Sequence, residues 1–151
     1  MIYRQATTFD IDSLNKIHKE IFNEDNQRWF LLQINDPLYR IYLVIDEKTN
    51  EIVGYISYQV VETTADMLYF AVKKSCQGQY AGSNLLGFSM EELKKDGIKK
   101  IALEVRQTNL KARNIYKKFG FIEMWVIKNY YPEFKEDGVL YIWEDQEQWL
   151  Y

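Results

Sequence analysis

The order of segments along the chain predicts an α/β fold: a mixed central sheet of about seven strands flanked by about four helices. Three observations lead there. Runs dense in Val, Ile and Tyr, short enough to be strands, fall near the start, through the second quarter and at the end of the chain. Between them lie segments whose apolar residues recur at helical spacing. Finally, 151 residues with 47% hydrophobic and 27% charged side chains match the size and composition of one cooperative core, so a single domain over residues 1–151 is expected.

Ile2 to Ala6 reads as a first strand. Asp10 then offers an N-cap for a helix in which Ile11, Leu14, Ile17 and Ile21 share one face. Gln27 to Ile34 reads as a short second helix, stopped by Asp36-Pro37 because the residue before proline avoids helical backbone. Tyr39 to Ile45 and Glu51 to Val61 form a hairpin about the turn Asp46 to Asn50, and Asp66 to Lys73 extends the same meander. Gly82 to Lys95 is amphipathic and ends at Asp96-Gly97, where glycine takes the left-handed turn that closes a helix. Ile98 to Val105 is a strand, and Asn109 to Phe119 a helix ending at Gly120. Phe121 to Ile127 and Val139 to Trp143 are the last strands, around a loop from Asn129 to Gly138. A crossover helix returns the chain in the same sense, so the strands on either side of Gly82 to Lys95 should run parallel.

Composition narrows the partners. With 19 Lys plus Arg against 22 Asp plus Glu, a net charge of -3, the chain has no basic surface with which to neutralise a phosphate backbone, so direct nucleic-acid binding is not expected. One cysteine, Cys76, and one histidine, His18, leave no zinc-ligand set, so no metal is expected. No uncharged apolar run reaches the roughly 20 residues that cross a bilayer, and the first residues lack a signal-peptide core. A cytoplasmic protein without a membrane partner is the expectation.

Two constellations carry chemistry. The first is the strand-to-helix connection Val72 to Ser83, with Gly78 and Gly82. A turn of this kind exposes unpaired N–H groups beside the positive end of a helix dipole, which suits an anion such as a pyrophosphate. It is neither a Walker nor a Rossmann loop, and an ordinary turn explains the glycines equally well. The second is Glu104 at the end of a strand, with Asn109 and Tyr116 seven residues apart on the following helix. A carboxylate at the C-terminal edge of a parallel strand is placed to act on a ligand. An edge glutamate paired with Arg106, and a core tyrosine, are the alternative readings of the same residues.

Taken together, Gln77-Gly78-Gln79-Tyr80-Ala81-Gly82, Leu103 to Asn109, Ala112, Ile115-Tyr116, Gly120-Phe121 and Asn129-Tyr130-Tyr131-Pro132 resemble the GNAT superfamily of N-acetyltransferases, most of all its RimI type, the ribosomal-protein-alanine N-acetyltransferases. The likeness is strong from about Phe70 to Pro132 and architectural before it. It implies a GNAT-like sheet with a splayed parallel strand pair forming an acetyl-CoA cleft. Phe70, Ala71 and Val72 would meet the pantetheine arm through backbone groups, Gly78, Gln79, Tyr80, Ala81, Gly82 and Ser83 the diphosphate, and Asn109 the cofactor from the facing helix. It further implies Glu104 as general base, Tyr116 as general acid, the Val72 N–H as oxyanion donor, and Tyr130 and Tyr131 beside the acceptor. The family's central loop glycine is Tyr80 here, so a side chain that crowds the diphosphate or shifts the backbone, and altered cofactor affinity, are expected.

The resemblance implies a protein N-terminal amine as acceptor, such as that of a ribosomal protein. Acidic Glu133, Glu136 and Asp137 are expected to favour a cationic partner, whether a ribosomal tail, a polyamine or an aminoglycoside. A non-catalytic acetyl-CoA-binding module is the alternative of a different class; retention of both Glu104 and Tyr116 weighs against it. Direct transfer needs no acyl-enzyme, which leaves Cys76 without a catalytic part, and His18 reads as a satisfied residue at the boundary of the first helix.

Overall fold

The expected alternation of strands and helices forms in the computed structural model, which describes residues 1–145. The elements are β1 (Ile2–Gln5), α1 (Ile11–Phe22), α2 (Gln27–Ile34), β2 (Tyr39–Asp46), β3 (Glu51–Val61), β4 (Thr64–Val72), α3 (Ala81–Lys95), β5 (Lys100–Arg106), α4 (Leu110–Lys118), β6 (Ile122–Tyr131) and β7 (Glu136–Glu144). The strands make one 7-stranded sheet in the order β1-β2-β3-β4-β5-β7-β6. β4 and β5 are the parallel neighbours, as the crossover through α3 requires. β7 comes back between β5 and β6 and pairs antiparallel with both.

Alternation along each strand divides the core between two faces. On one, Ile56, Tyr58, Leu103 and Tyr141 pack with Leu85, Leu86 and Leu93 of α3 and Tyr116 of α4. On the other, Leu43, Tyr55 and Ala71 pack with Leu14 and Ile17 of α1 and Phe30 of α2. Each fully buried leucine of this kind contributes roughly 1.5–3 kcal/mol. The buried hydroxyls of the first face satisfy one another: Ser89 donates to the Leu86 carbonyl at 2.8 Å, so the Tyr58 hydroxyl donates to Ser89 Oγ, also at 2.8 Å. Helices α3 and α4 end as expected, with Gly97 at φ 86° and Gly120 at φ 90° just beyond them.

Several details differ from the sequence expectation. Asp10 makes no side-chain cap; it ends a 3-10 turn, Thr8–Asp10, and is tied by a bidentate ion pair to Arg4 at 2.8 and 2.9 Å and by the Thr7 N–H at 2.7 Å. Burial would raise its carboxyl pKa, but these partners outweigh burial and lower it. The loop expected between Asn129 and Gly138 is mostly strand: β6 runs on to Tyr131 and β7 begins at Glu136, leaving the 3-10 turn Pro132–Phe134. His18 is not at a boundary but wholly buried, with Nδ1 2.5 Å from the Tyr55 hydroxyl and Nε2 2.7 Å from Glu24. Among the described residues no helix is long and apolar enough to cross a membrane.

Gly54 of β3 lies where the sheet is tightest. A Cβ there would sit 3.0 Å from the Ala71 carbonyl oxygen and 3.1 and 3.2 Å from methyls of Val44 and Val72. Gly54→Ala should therefore destabilise by about 1–3 kcal/mol in a urea titration, the usual cost of overpacking, and an unchanged midpoint would contradict the packing described.

Candidate active site

The site begins where pairing ends. β4 and β5 are joined through Thr64↔Lys100, Ala65↔Ile101 and Asp66↔Ala102, and no further. At that point the β3–β4 register shifts, from Tyr58↔Met67 to Ser57↔Tyr69, so that Leu68 is an extra residue on β4. A bulge of this kind bends its strand, and β4 leaves β5 beyond it.

The backbone past the bulge has a definite direction. Lys73 donates its N–H to the Val53 carbonyl at 2.8 Å, which makes Lys73 and Val53 a hydrogen-bonded pair of the β3–β4 ladder. Alternation along an antiparallel ladder then turns the polar groups of Val72 and Phe70 away from β3 and into the gap, and those of Ala71 toward β3. The Ala71 side chain is buried on the α1 face. Of the three residues expected to present backbone groups, Phe70 and Val72 open to the gap and Ala71 does not. The Val72 carbonyl already accepts the Gln77 side-chain amide at 2.9 Å, which fastens the following loop to the strand end and leaves the Val72 N–H facing the gap.

That loop enters α3 through Tyr80, whose φ of 64° and ψ of 1° are left-handed. The tyrosine therefore keeps the conformation a glycine would adopt, and its side chain, 78% exposed, swings outward. The backbone shift expected from a side chain at this position does not occur. The first helical bond runs from the Asn84 N–H to the Tyr80 carbonyl at 2.9 Å, so the N–H groups of Ala81, Gly82 and Ser83 precede it as the unpaired first turn of a 15-residue helix.

Between this turn and α4 lies a cleft of about 530 Å³. Phe70, Val72, Gly78, Tyr80, Gly82, Ser83, Asn109 and Tyr116 line it; of the other residues expected to hold a cofactor, Ala81 is buried behind the turn and Gln79 is exposed beside it. Asn109 is the N-cap of α4, its side chain accepting the Ala112 N–H at 3.3 Å. Tyr116, buried at the inner end, points its hydroxyl at Met67 Sδ, 3.9 Å away, and burial raises the pKa of its phenol. The sequence reading missed Lys111, Asn114 and Lys118, which share this wall; their spacing with Ile115 marks one helical face and was the available signal.

Glu104 lies across the sheet from the cleft. Its neighbours Leu103 and Val105 point into the α3 and α4 core, so its side chain projects from the opposite face. Partial burial, then the negative charge of Asp66, hold its carboxyl above the usual range. Tyr130 and Tyr131 meet edge to face at 5.0 Å and border the same region. Burial and the charge of Glu104 raise both phenols, that of Tyr131 to about 12 with a further contribution from Tyr130. Arg106 does not pair with Glu104: it lies 3.8 Å from Glu136 and over the Phe134 ring. Nor are Glu136 and Asp137 free charges for a partner. Glu136 accepts from the Thr108 N–H and hydroxyl, and Asp137 from the Asn129 N–H and Lys128.

A cleft ending at a helix N-terminus, opened by a broken parallel pair, is the arrangement the sequence resemblance implied, and comparison with known proteins decides the matter. The model of the acetyltransferase (GNAT) family matches residues 9–121. The chain belongs to the GNAT acetyltransferase family. It is 32% identical over 132 residues, 87% of each chain, to a Bacillus subtilis (strain 168) protein provisionally named a ribosomal protein bS18-alanine N-acetyltransferase. The solved Escherichia coli ribosomal-protein-S18-alanine N-acetyltransferase superposes with a TM-score of 0.86 at 24% identity, over 95% of this chain and 93% of that one. An aminoglycoside 6′-N-acetyltransferase complexed with coenzyme A superposes at 0.80 with 16% identity, over 95% and 97% of the two chains. This GNAT protein is thus an acetyl-CoA-dependent N-acetyltransferase with RimI-like relatives.

The left-handed turn at Tyr80 can be tested by substitution, because its side chain is mostly exposed at the rim of the cleft. Tyr80→Gly relieves the left-handed strain but frees the unfolded chain, so stability should move by no more than about 1 kcal/mol. Tyr80→Val puts a β-branched residue into the same backbone and should cost about 1–2 kcal/mol and weaken coenzyme A binding by calorimetry. Equal behaviour of the two variants would contradict the turn geometry.

Proposed function

We propose that this acetyltransferase transfers the acetyl group directly to the N-terminal α-amine of a protein, with Glu104 as general base and Tyr116 as general acid. The observation that supports the reading is that Glu104 projects from one face of the sheet while Tyr116 of α4 lies on the other, beside the gap where β4 and β5 part. The donor thioester and the acceptor amine can then approach from opposite sides and meet between β4 and β5.

The chain's own groups fit each part of the donor. The free N–H groups of the α3 first turn take the diphosphate, as helix N-termini do, and Lys111 and Lys118 add positive charge on the facing wall. Phe70 and Val72 offer backbone groups to the amides of the pantetheine arm, and Asn109 closes the α4 side. In this reading the Val72 N–H, which faces the gap, donates to the carbonyl oxygen as it gains charge.

An α-amine with a pKa of about 8 is mostly ammonium at neutral pH. Glu104 removes one proton and releases it to solvent. The nitrogen lone pair then forms the new C–N bond, the C–S bond breaks, and Tyr116 gives its proton to the departing sulfur. The proton that nitrogen loses in forming the amide replaces the one Tyr116 gave, so one proton is released overall. The elevated pKa of Tyr116 keeps its proton in place until the thiolate develops, and that of Glu104 makes it a stronger base than a free carboxylate.

Glu104→Gln and Tyr116→Phe should each lower kcat by about 10² to 10⁴-fold, the range for a positioned base or acid, with coenzyme A affinity retained. Thiol release should be seen with peptides beginning in alanine. Release with polyamines or aminoglycosides alone would overturn the acceptor, and wild-type rates in both variants would overturn the roles.

A further inference from the structure

Glu104 has a companion that the sequence pattern does not mark. Asp66 is the last residue of β4 to pair with β5, opposite Ala102, and Ala102 and Glu104 project from the same face two residues apart. Ala65 and Met67 point into the α3 and α4 core, so Asp66 projects from the Glu104 face as well. The two carboxylates therefore stand on adjacent strands, on one face, at the edge of the gap.

Neither has a cation of its own. Among the described residues the Asp66 and Glu104 side chains make no ion pair, and the nearest candidate, Arg106, is held by Glu136 and the Phe134 ring. Tyr130 and Tyr131 from β6 are phenols that stay neutral, and the β7 residue opposite Glu104 is Leu140. Glu24, which borders the hollow beyond Leu68, is engaged by His18. The charge of Asp66 adds to burial in disfavouring the ionised form of Glu104, and a cation that enters beside the two carboxylates relieves their repulsion.

We propose that Asp66 is the positioning and selectivity residue of the acceptor site: with Glu104 it flanks the incoming ammonium, so that the acceptor binds as a cation and surrenders one N–H proton to Glu104. Asp66 accepts a hydrogen bond from a remaining N–H and holds the nitrogen lone pair toward the gap once the proton has left. It takes no proton itself. The class of acceptor follows: a primary amine that is protonated in solution, in preference to a neutral amine of the same shape.

This inference rests on Glu104 as base, and the experiment separates the two. Steady-state kinetics of Asp66→Asn and Asp66→Glu are measured against an alanine-starting peptide across pH, with Glu104→Gln alongside, and coenzyme A binding reports that each variant is folded. Asp66→Asn should raise the peptide KM about 10-fold or more, the scale of one lost charge-assisted contact, and leave the acetyl-CoA KM unchanged. It should also move the acid limb of the pH profile to lower pH, because the like charge that raises the Glu104 pKa is gone. Asp66→Glu should restore both in part. The Glu104 carboxyl signal, followed by carbon NMR, should titrate at lower pH in Asp66→Asn than in the wild type. An unchanged peptide KM and an unchanged Glu104 titration, with Glu104→Gln inactive, would overturn the role of Asp66 alone; a fully active Glu104→Gln would overturn the base beneath it.

Discussion

Three rungs of parallel pairing, Thr64 to Asp66 against Lys100 to Ala102, join β4 to β5, and the site depends on that ladder stopping there. The extra residue at Leu68 bends β4, and pairing with β3 resumes at Tyr69 and runs to Val72, so the gap opens beside a strand that is still held on its other edge. β5 is held in turn by β7, from Lys100↔Glu144 to Arg106↔Gly138. The gap is thus a rigid feature between two supported strands. Its free backbone groups, at Phe70 and Val72, are polar groups that pairing would otherwise have consumed.

The elements around the gap each answer a local physical demand. The Gln77 side chain anchors the loop to the Val72 carbonyl, and the left-handed residue at Tyr80 turns the chain sharply enough to aim the first turn of α3 at the cleft. Two of the three charges that resembled a recognition surface, all but Glu133, brace the connection between β6 and β7: Glu136 with Thr108 and Arg106, Asp137 with Asn129 and Lys128. Glu104 and Asp66 carry further negative charge without an ion pair among the described residues, at the edge of the gap. Behind it, the buried His18 links Tyr55 of the sheet to Glu24 after α1, which holds that helix against the sheet.

Sequence periodicity revealed what is local. α3 and α4, their closing glycines at 97 and 120 and the parallel crossover were legible, because helical spacing and strand alternation are written within a few residues; the cleft-wall residues came from the family resemblance, which left out Lys111, Asn114 and Lys118. The bulge at Leu68 was not, since an extra strand residue leaves no compositional mark. Asp66 was missed because only the strand register brings it beside Glu104. Glu136 and Asp137 differ from expectation for one reason: their partners come from other segments, and a charge looks free until the fold supplies its partner; Asp10 flanks α1 as expected, but its carboxylate is taken by Arg4 and Thr7. At Tyr80 the sequence left open whether the side chain crowds the loop or shifts the backbone; the backbone is left-handed, a conformation that favours glycine but that other residues adopt at a cost of about 1–2 kcal/mol.

The Phe70 and Val72 amides face the gap between β4 and β5, where the proposed donor would meet them, and Ala71 is turned to β3. Amide hydrogen exchange of these three residues, with and without coenzyme A, tests that arrangement most directly. In the free protein the Ala71 amide should be strongly protected, and those of Phe70 and Val72 should exchange fast; saturating coenzyme A should protect the latter two and leave Ala71 unchanged. Equal protection of all three before addition, or no gain at Phe70 and Val72 after it, would contradict the account.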